Sequence, residues 1–389
     1  MSSITESAKA LMPKLSEIRR DFHMHPEVSQ HEERTGKKVA EYLKAMGCDE
    51  VHENVGGYGV VGVIKGKKPG KVVALRADMD ALQIQEMNEV PYKSQNDGVM
   101  HACGHDNHMT GLLGAAMLLC ERRDEIAGTV KLIFQPAEEM SPVGGSRGML
   151  HSGYMDDVEA VFGLHVWPDL PHGKIGVKAG PLMAATDHFT INIHGKTAHG
   201  AKPNQGIDAV VLGSQFVMAA QTIVSRKVDP LDNAVVTFGI FNAGTRYNII
   251  AGDCTLDGTV RTLNEDTRAM IEDSMRKTLD GLCLQSGATA DINYGHGYPA
   301  LVNHEEDAEL IRNTAIKLFG KDDVVDVKLP AMPAEDFSFY LKEKKGAFVW
   351  LGTAKPEQDP VWPLHNSRFD VDESALLLGV CAELSFALR

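Results

Sequence analysis

Nine residues, Met100 to His108 (Met-His-Ala-Cys-Gly-His-Asp-Asn-His), hold one cysteine, three histidines and an aspartate. No other stretch constrains the fold as much. Thiolate and imidazole are good ligands for zinc and other late first-row divalent metals, and a centre built on them needs partners from elsewhere in the chain. In an extended segment the side chains of Cys103 and His105 leave on one side. Gly104 between them lets the backbone bend closely around an ion. The run from Gly111 to Leu119 then reads as a small-residue, buried helix, which puts the cluster at a helix start. Two other readings stay open on this stretch alone. One is a nucleophilic Cys103 with His105 or His108 as its base. The other is a chance grouping in a loop, in a chain with 16 histidines.

Partners for the cluster stand at strand ends. Lys71 to Arg76 is a strand-type run that leads into Asp78 and Asp80. Carboxylates at i and i+2 where a strand ends suit site chemistry in an α/β sheet, and a solvated strand end fits equally well. Thr129 to Phe134 delivers Glu138 and Glu139. Adjacent residues on an extended chain point opposite ways, so one glutamate can hold a metal while the other faces a water. Ala160 to Leu164 ends in His165. Three consecutive strand ends thus offer Asp, Glu and His, with Cys and His from the loop between.

At 389 residues the chain is expected to form two domains. Its 43% hydrophobic and 24% charged residues describe an ordinary soluble globular protein. A net charge of −14 argues against nucleic acid and anionic membrane as partners, and leaves room for an anionic small substrate held by a local arginine. No basic-then-apolar leader pattern and no membrane-length apolar run are present. The six cysteines are scattered without C-x-x-C pairs. Cys120, Cys283 and Cys381, among apolar neighbours, read as core. A reduced, cytoplasmic setting is the expectation.

Helices are expected over residues 4–24, 33–46 and 305–319, with a short one over 336–341 and a terminal one from about Asp372. The stretch from 186 to 296 has a different texture. Phe189, Ile191 and Ile193 alternate with polar residues, and the order strand, helix, strand, strand, helix, strand gives the ferredoxin-like βαββαβ pattern. It reads as a module inserted into a larger α/β domain.

Taken together, Arg76–Leu82, Met100–His108, Gln135–Glu139, His165–Pro168, Thr197–Pro203, Gly258–Leu263, Ala334–Phe337 and Leu364–Phe369 run essentially end to end along the chain. In order and spacing they resemble the M20 metallopeptidase family, in its amidohydrolase branch of hippurate hydrolases, aminoacylases and plant auxin-conjugate hydrolases. The resemblance implies an α/β, mixed-sheet, zinc-peptidase-like catalytic domain formed by residues 1–184 and 298–389. It implies an inserted ferredoxin-like lid and dimerisation domain over 185–297, and a homodimer or homotetramer formed through it.

The resemblance also implies two divalent ions per subunit (zinc, manganese, cobalt or nickel) on Cys103, His105, Glu139, His165 and His365. Glu138 would be the catalytic base, Asp80 the supporting aspartate, and His199 a lid histidine that helps bind the scissile carbonyl. Asn248 and Arg261 stand where relatives contact the substrate. The implied reaction splits an N-acyl amino acid into a carboxylate and a free amino acid. Gln83, Asn107 and Ser146-Arg147 depart from the family pattern without removing a ligand or the base, and bear on substrate selectivity.

Three other readings compete: a dipeptidase or carboxypeptidase of the same architecture, a Cys103-nucleophile hydrolase, and a metal-stabilised scaffold. Glu138 beside Glu139 argues against the last, because a structural site needs no base. His23, His25, His31 and His52 read as surface or supporting residues, and His108 as support for a ligand rather than a ligand. Trp167 and Trp362 flank ligands and read as pocket wall. The Glu32-Glu33 and Glu305-Glu306 runs read as solvated helix starts.

Overall fold

The computed structural model describes residues 2–354 and 361–388. In chain order the first strands are β1 (Glu50–Val55), β2 (Gly59–Lys65), β3 (Lys68–Asp78), β4 (Ala127–Gln135), β5 (Ala160–Pro171), β6 (Ile175–Val177) and β7 (Gly180–Met183). There follow β8 (Ala185–His194), β9 (Ala198–His199), β10 (Ala234–Ala243), β11 (Ile249–Ile250), β12 (Asp253–Thr262), β13 (Thr289–His296), β14 (Leu301–Asn303), β15 (Val324–Asp326) and β16 (Lys345–Ala354). The helices are α1 (Ser2–Met24), α2 (Glu33–Ala45), α3 (His105–Glu121), α4 (Ser146–Leu150), α5 (Ala209–Arg226), α6 (Glu265–Ser286), α7 (Glu305–Phe319), α8 (Ser338–Glu343) and α9 (Ala375–Ala387). The chain forms two compact units, one of Met1–Leu182, Val302–Leu329 and Asp336–Arg389, the other of Met183–Leu301 and Pro330–Glu335. Among the described residues no helix is long and apolar enough to cross a membrane.

The first unit is built on a mixed sheet of order β1-β2-β4-β3-β5-β16-β6-β15. Its middle, β4, β3, β5 and β16, is parallel throughout. Parallel strands are covered on both faces and therefore read as unbroken apolar runs. Leu132 to Phe134, Ala160 to Leu164 and Ala347 to Leu351 are such runs, and all are buried. Register decides where the chemistry falls. Asp78 lies opposite Gln135, and Arg76 opposite Gly163, two residues before His165. The ends of three neighbouring parallel strands therefore arrive at one level, at the carboxyl edge where open α/β sheets bind ligands.

Helix α3 runs behind that edge, and its residues from His105 to Ala116 are buried throughout. Small residues let it approach α1 and α9 closely: a Cβ on Gly114 would lie 2.6 Å from Val380 Cγ2 and 3.0 Å from Leu15 Cδ1. The expected helices are present, shifted by a few residues at their ends. The terminal one begins at Ala375 rather than Asp372, and the short one spans Ser338–Glu343.

In the second unit the sheet order is β10-β12-β8-β13, with every pairing antiparallel. Burial alternates along β8 and β12, the period-2 signature of a sheet with one covered face. Phe189, Ile191 and Ile193 join Phe216 of α5 and Ile271 and Met275 of α6 in a core of the unit's own.

Two of the cysteines expected in the core are not fully inside. Cys381 is buried, but Cys120 and Cys283 are half-buried, and Cys120 Sγ lies 3.9 Å from Cys48 Sγ. Position 120 falls on the last turn of α3, where the helix emerges from the core. The tightness of the α3 packing gives a test. Gly114→Leu should overpack the contact with Leu15 and Val380 and lower folding stability by about 1–3 kcal/mol, read from the denaturant midpoint; an unchanged midpoint would show a looser core.

Candidate metal centre

The cluster at residues 101–108 is not extended. Gly104 adopts φ +85° as the residue before α3, and a Cβ there would lie 2.4 Å from Val166 Cγ2. Glycine thus permits both the left-handed turn and the close approach of β5. The turn, rather than a strand alternation, brings Cys103 and His105 to one place. Cys103 Sγ lies 3.4 Å from His165 Nε2 and 3.3 Å from His365 Nε2. Metal–sulfur and metal–nitrogen bonds of ~2.3 and ~2.05 Å in a tetrahedron place such donors roughly 3.5 Å apart, so these spacings fit a shared divalent ion.

The other candidate donors lie close by. His365, itself at φ +62°, sets its Nε2 3.3 Å from Glu139 Oε1. His105 Nε2 is 4.0 Å from the same oxygen, and His105 Nδ1 is 3.3 Å from Asp80 Oδ1. Among the sets of described residues whose donor atoms all lie within 4.8 Å of one another are Cys103, His105 and His165; Cys103, Glu139 and His365; and His105, Glu138 and Glu139. Both ring nitrogens of His105, Asp80 Oδ1 and Glu139 Oε1 are buried without a hydrogen-bond partner among the described residues. Buried polar atoms of that kind are costly unless something satisfies them. His105 Nδ1 and Asp80 Oδ1 face each other at 3.3 Å and form an ion pair, so His105 Nε2 and Glu139 Oε1 are what a divalent cation would satisfy, and the donor set fits the group.

Charge points the same way. Burial, followed by the carboxylates of Glu139 and Glu138, pushes the Cys103 thiol well above its ordinary value. A nucleophilic cysteine needs the reverse, an electropositive setting that favours thiolate. Burial opposes protonation of His105, yet Asp78, Asp80 and Glu139 raise it to about 10. The pocket's field is negative and calls for a cation.

Two imidazoles side by side take different parts because their partners differ. His165 Nδ1 donates to its neighbour's carbonyl, Val166 O, at 2.6 Å, which leaves the Nε2 lone pair facing Cys103. His108 Nε2 accepts from Val166 N–H at 2.9 Å, so the proton sits on Nδ1, which donates to Asp78 Oδ1 at 2.6 Å. Both nitrogens of His108 are used, and it stands behind the donors, as expected. Asp78 is not a solvated strand end either. Against its burial, His105, Arg76 and His108 hold it well below the carboxylate range. Arg76 reaches Asp78 at 2.7 Å and Asp336 at 2.9 Å, and Gln135 donates to both oxygens of Asp336.

The glutamate pair differs from expectation in its backbone. Residues 136–139 have left β4 and form a turn, with Ala137 at φ +55°, a conformation that costs a non-glycine residue about 1–2 kcal/mol. Asp80 Oδ2 accepts from Ser29 Oγ at 2.6 Å and from Glu139 N–H at 2.9 Å, and Glu138 Oε1 accepts from Asp336 N–H at 3.3 Å. The reading of Glu32 as a solvated helix start is overturned. It is completely buried and accepts from Ala137 N–H at 2.8 Å. Burial, then the neighbouring Asp80, push its carboxyl up to about 7. His23 is likewise interior, its Nδ1 2.7 Å from Asp106 Oδ2, which Arg19 Nε also meets at 2.8 Å. Trp167 is buried and stacks on Trp350 at 4.2 Å between ring centroids.

His199, Asn248 and Arg261 belong to the second unit. There His199 on β9 pairs with Ile249 on β11, and the next residue, Gly200, donates to Asn248 O at 2.8 Å. Arg261, on β12, donates to Val260 O at 3.1 Å and to Thr259 Oγ1.

The geometry can be set beside known proteins. The model of peptidase family M20/M25/M40 matches residues 74–388. The chain belongs to that family. It is 42% identical over 374 residues to the putative amidohydrolase YhaA of Bacillus subtilis, covering 96% of this chain and 94% of that one. It is 39% identical over 391 residues to thermostable carboxypeptidase 2 of Saccharolobus solfataricus, covering 100% and 98%. The N-acyl-L-amino acid amidohydrolase of Geobacillus stearothermophilus is 44% identical over 288 residues, 74% of this chain and 77% of the relative. Among solved structures, that of Bacillus subtilis YXEP, described as a dinuclear metal binding peptidase from the M20 family, aligns with a TM-score of 0.86 at 37% identity over 98% of each chain. As a member of the family, the protein is a metal-dependent hydrolase of amide bonds.

The ion pairs behind α3 give a test of how its start is held. Burial works against ionisation of Asp106, and Arg19 with His23 overrides it. Asp106→Ala would leave Arg19 buried without its nearest carboxylate, and should cost about 3–5 kcal/mol of folding stability in urea titration. A loss below about 1 kcal/mol would show that Asp370 and Glu373, each with an oxygen 3.6 Å from the Arg19 guanidinium, suffice to compensate it.

Proposed function

We propose that the protein is an N-acyl amino acid amidohydrolase with two divalent ions held by Cys103, His105, Glu139, His165 and His365, and with Glu138 as general base. The observation that carries this reading is a buried carboxylate, Glu138, with its oxygen within 4.8 Å of donors on His105 and Glu139, in a pocket whose remaining orphan atoms call for cations. When bound, a divalent pair acidifies water and polarises the amide carbonyl. Glu138 removes the proton of the attacking water and returns it to the leaving nitrogen. Asp80 holds the Glu139 amide and faces His105, which orients both donors. His199 donates to the developing oxyanion, and Asn248 and Arg261 meet the substrate. The adjacency of His199 and Asn248 in the second unit supports grouping them. Thiolate with imidazole suits zinc first, then cobalt, nickel and manganese.

A carboxypeptidase reading has support of its own in the end-to-end similarity to a relative of that name. A panel of N-acetyl and N-benzoyl amino acids beside peptides, assayed for amino-acid release after chelation and after metal return, separates the two. The amidohydrolase reading requires metal-restored release from the N-acyl compounds; release from peptides alone would favour the carboxypeptidase.

Within that assay, Glu138→Gln should leave the metal content unchanged and lower turnover by about 10²–10⁴-fold. A variant within about tenfold of the parent, roughly 1.4 kcal/mol of barrier, would remove Glu138 from the role of base.

We read the second unit as a ferredoxin-like lid and dimerisation element. Its exposed Val210, Val211 and Met218 on α5, and Ile240 and Phe241 on edge strand β10, support this, since edge strands and apolar faces are usually covered. Sedimentation should return a dimer or tetramer; a single-chain mass at micromolar concentration would counter it.

A further inference from the structure

Resting on the reading of Glu138 as the base, we infer that Glu32 is a positioning residue: it fixes the backbone at Ala137 and thereby aims Glu138. Glu32 reaches the turn from the residue just before α2, far along the chain from β4. Its Oε1 accepts from Ala137 N–H at 2.8 Å. Ala137 holds φ +55°, where a residue with a side chain stays only if its surroundings determine it. Below the turn, Gly145 packs so closely that a Cβ would lie 1.7 Å from Pro136 O. On the other side of Glu138, Asp80 Oδ2 accepts from Glu139 N–H at 2.9 Å. The amides on both sides of Glu138 therefore end on fully buried carboxylates.

Removing the Glu32 carboxylate leaves the Ala137 amide buried without its acceptor and frees a strained residue. Relaxation of Ala137 toward negative φ rotates the peptide that follows and carries Glu138 with it. Asp80 continues to hold the Glu139 amide, so the donors keep their places. The role of Glu32 is thus separable from metal binding, and it falls on turnover. Glutamine is a faithful substitute, because its carbonyl oxygen accepts from the same amide. Alanine is not. Glycine at 137 enters the left-handed region without strain, so it should partly replace the missing tether.

The experiment compares Glu32→Gln, Glu32→Ala, Ala137→Gly and the double variant E32A/A137G with the parent. It reads kcat, KM, metal per chain, and amide hydrogen exchange over residues 134–141. E32Q should stay within about threefold of the parent in kcat, while E32A should lose about 10–100-fold with KM within about threefold and metal unchanged. Adding A137G to E32A should recover at least about fivefold of kcat. Exchange at Ala137 should quicken at least about tenfold in E32A, whatever the turnover.

Parental kcat and parental exchange in E32A would overturn the inference. A kcat loss matched by metal loss, with no recovery on adding A137G, would make Glu32 a purely structural support and also overturn it. Should the parent itself hydrolyse nothing in the panel, the amidohydrolase reading fails on its own. Exchange then decides for Glu32: quickened exchange upholds the tether, and unchanged exchange refutes it. If E32A does not fold, Glu32→Asp, which keeps the charge but withdraws the oxygen from the amide, takes its place with the same expected losses.

Discussion

Carboxylates buried around the ends of the parallel strands need compensation, and in the first unit each compensation described above fixes a piece of backbone. Asp78 is answered by Arg76 and His108, and Asp336 by Arg76 and Gln135. Asp106 is answered by Arg19 and His23. Glu32 and Asp80 are answered in part by backbone amides at 137 and 139. Buried charge is tolerated only with such partners. Among the candidate ligands, Glu139 Oε1 and His105 Nε2 stay unanswered by protein groups, while His105 Nδ1 is paired with Asp80 Oδ1. The negative charge of Glu139 beside His105 therefore lies where a divalent cation would supply what the protein does not.

Helix α3 links this electrostatic arrangement to the core. Its first turn carries His105, Asp106 and His108, which face a donor cluster, an arginine and a strand-end aspartate respectively. Its middle carries Gly111, Gly114, Ala115 and Ala116, small enough for α1 and α9 to pack against it. The same helix could not be amphipathic in the usual way, since it is buried nearly all round. Packing sets its height and ion pairs set its rotation, and between them they place His105 without using any surface contact.

The sheet and the polar residues at its carboxyl edge were legible because they follow local rules. Parallel strands buried on both faces spell apolar runs, and the residues after those runs fall at the sheet's carboxyl edge, so Asp80, Glu138, Glu139 and His165 could be picked out from position alone. Cys103 and His105 were legible from density and residue type. Their geometry was not. An extended segment was expected where Gly104 makes a left-handed turn into α3, and an extended Glu138-Glu139 where Ala137 has already turned the chain. Positive φ at alanine has no signature in sequence, because it is imposed from outside by partners such as Glu32. That glutamate was itself misread, since its charge and its place before a helix both argue for solvent. The contact that buries it spans more than a hundred residues of chain. Arg76, by contrast, stands two residues before Asp78 on one face of β3, a local cue from which the pair could have been read.

Division of labour between His108 and His165 shows why residue type and spacing do not assign a role by themselves. Both rings are buried, and they lie 4.6 Å apart. A backbone N–H aimed at one nitrogen of His108 removes its lone pair from use, and an aspartate accepts the hydrogen bond from the other nitrogen. A backbone carbonyl aimed at one nitrogen of His165 does the opposite and frees a lone pair toward Cys103. Both backbone groups belong to Val166 in β5. One strand residue, by the direction of its amide and its carbonyl, leaves one imidazole with a lone pair turned toward Cys103 and makes the other a brace for the strand end. The chemistry of the centre is to that extent written in the sheet's hydrogen-bond direction as much as in its side chains.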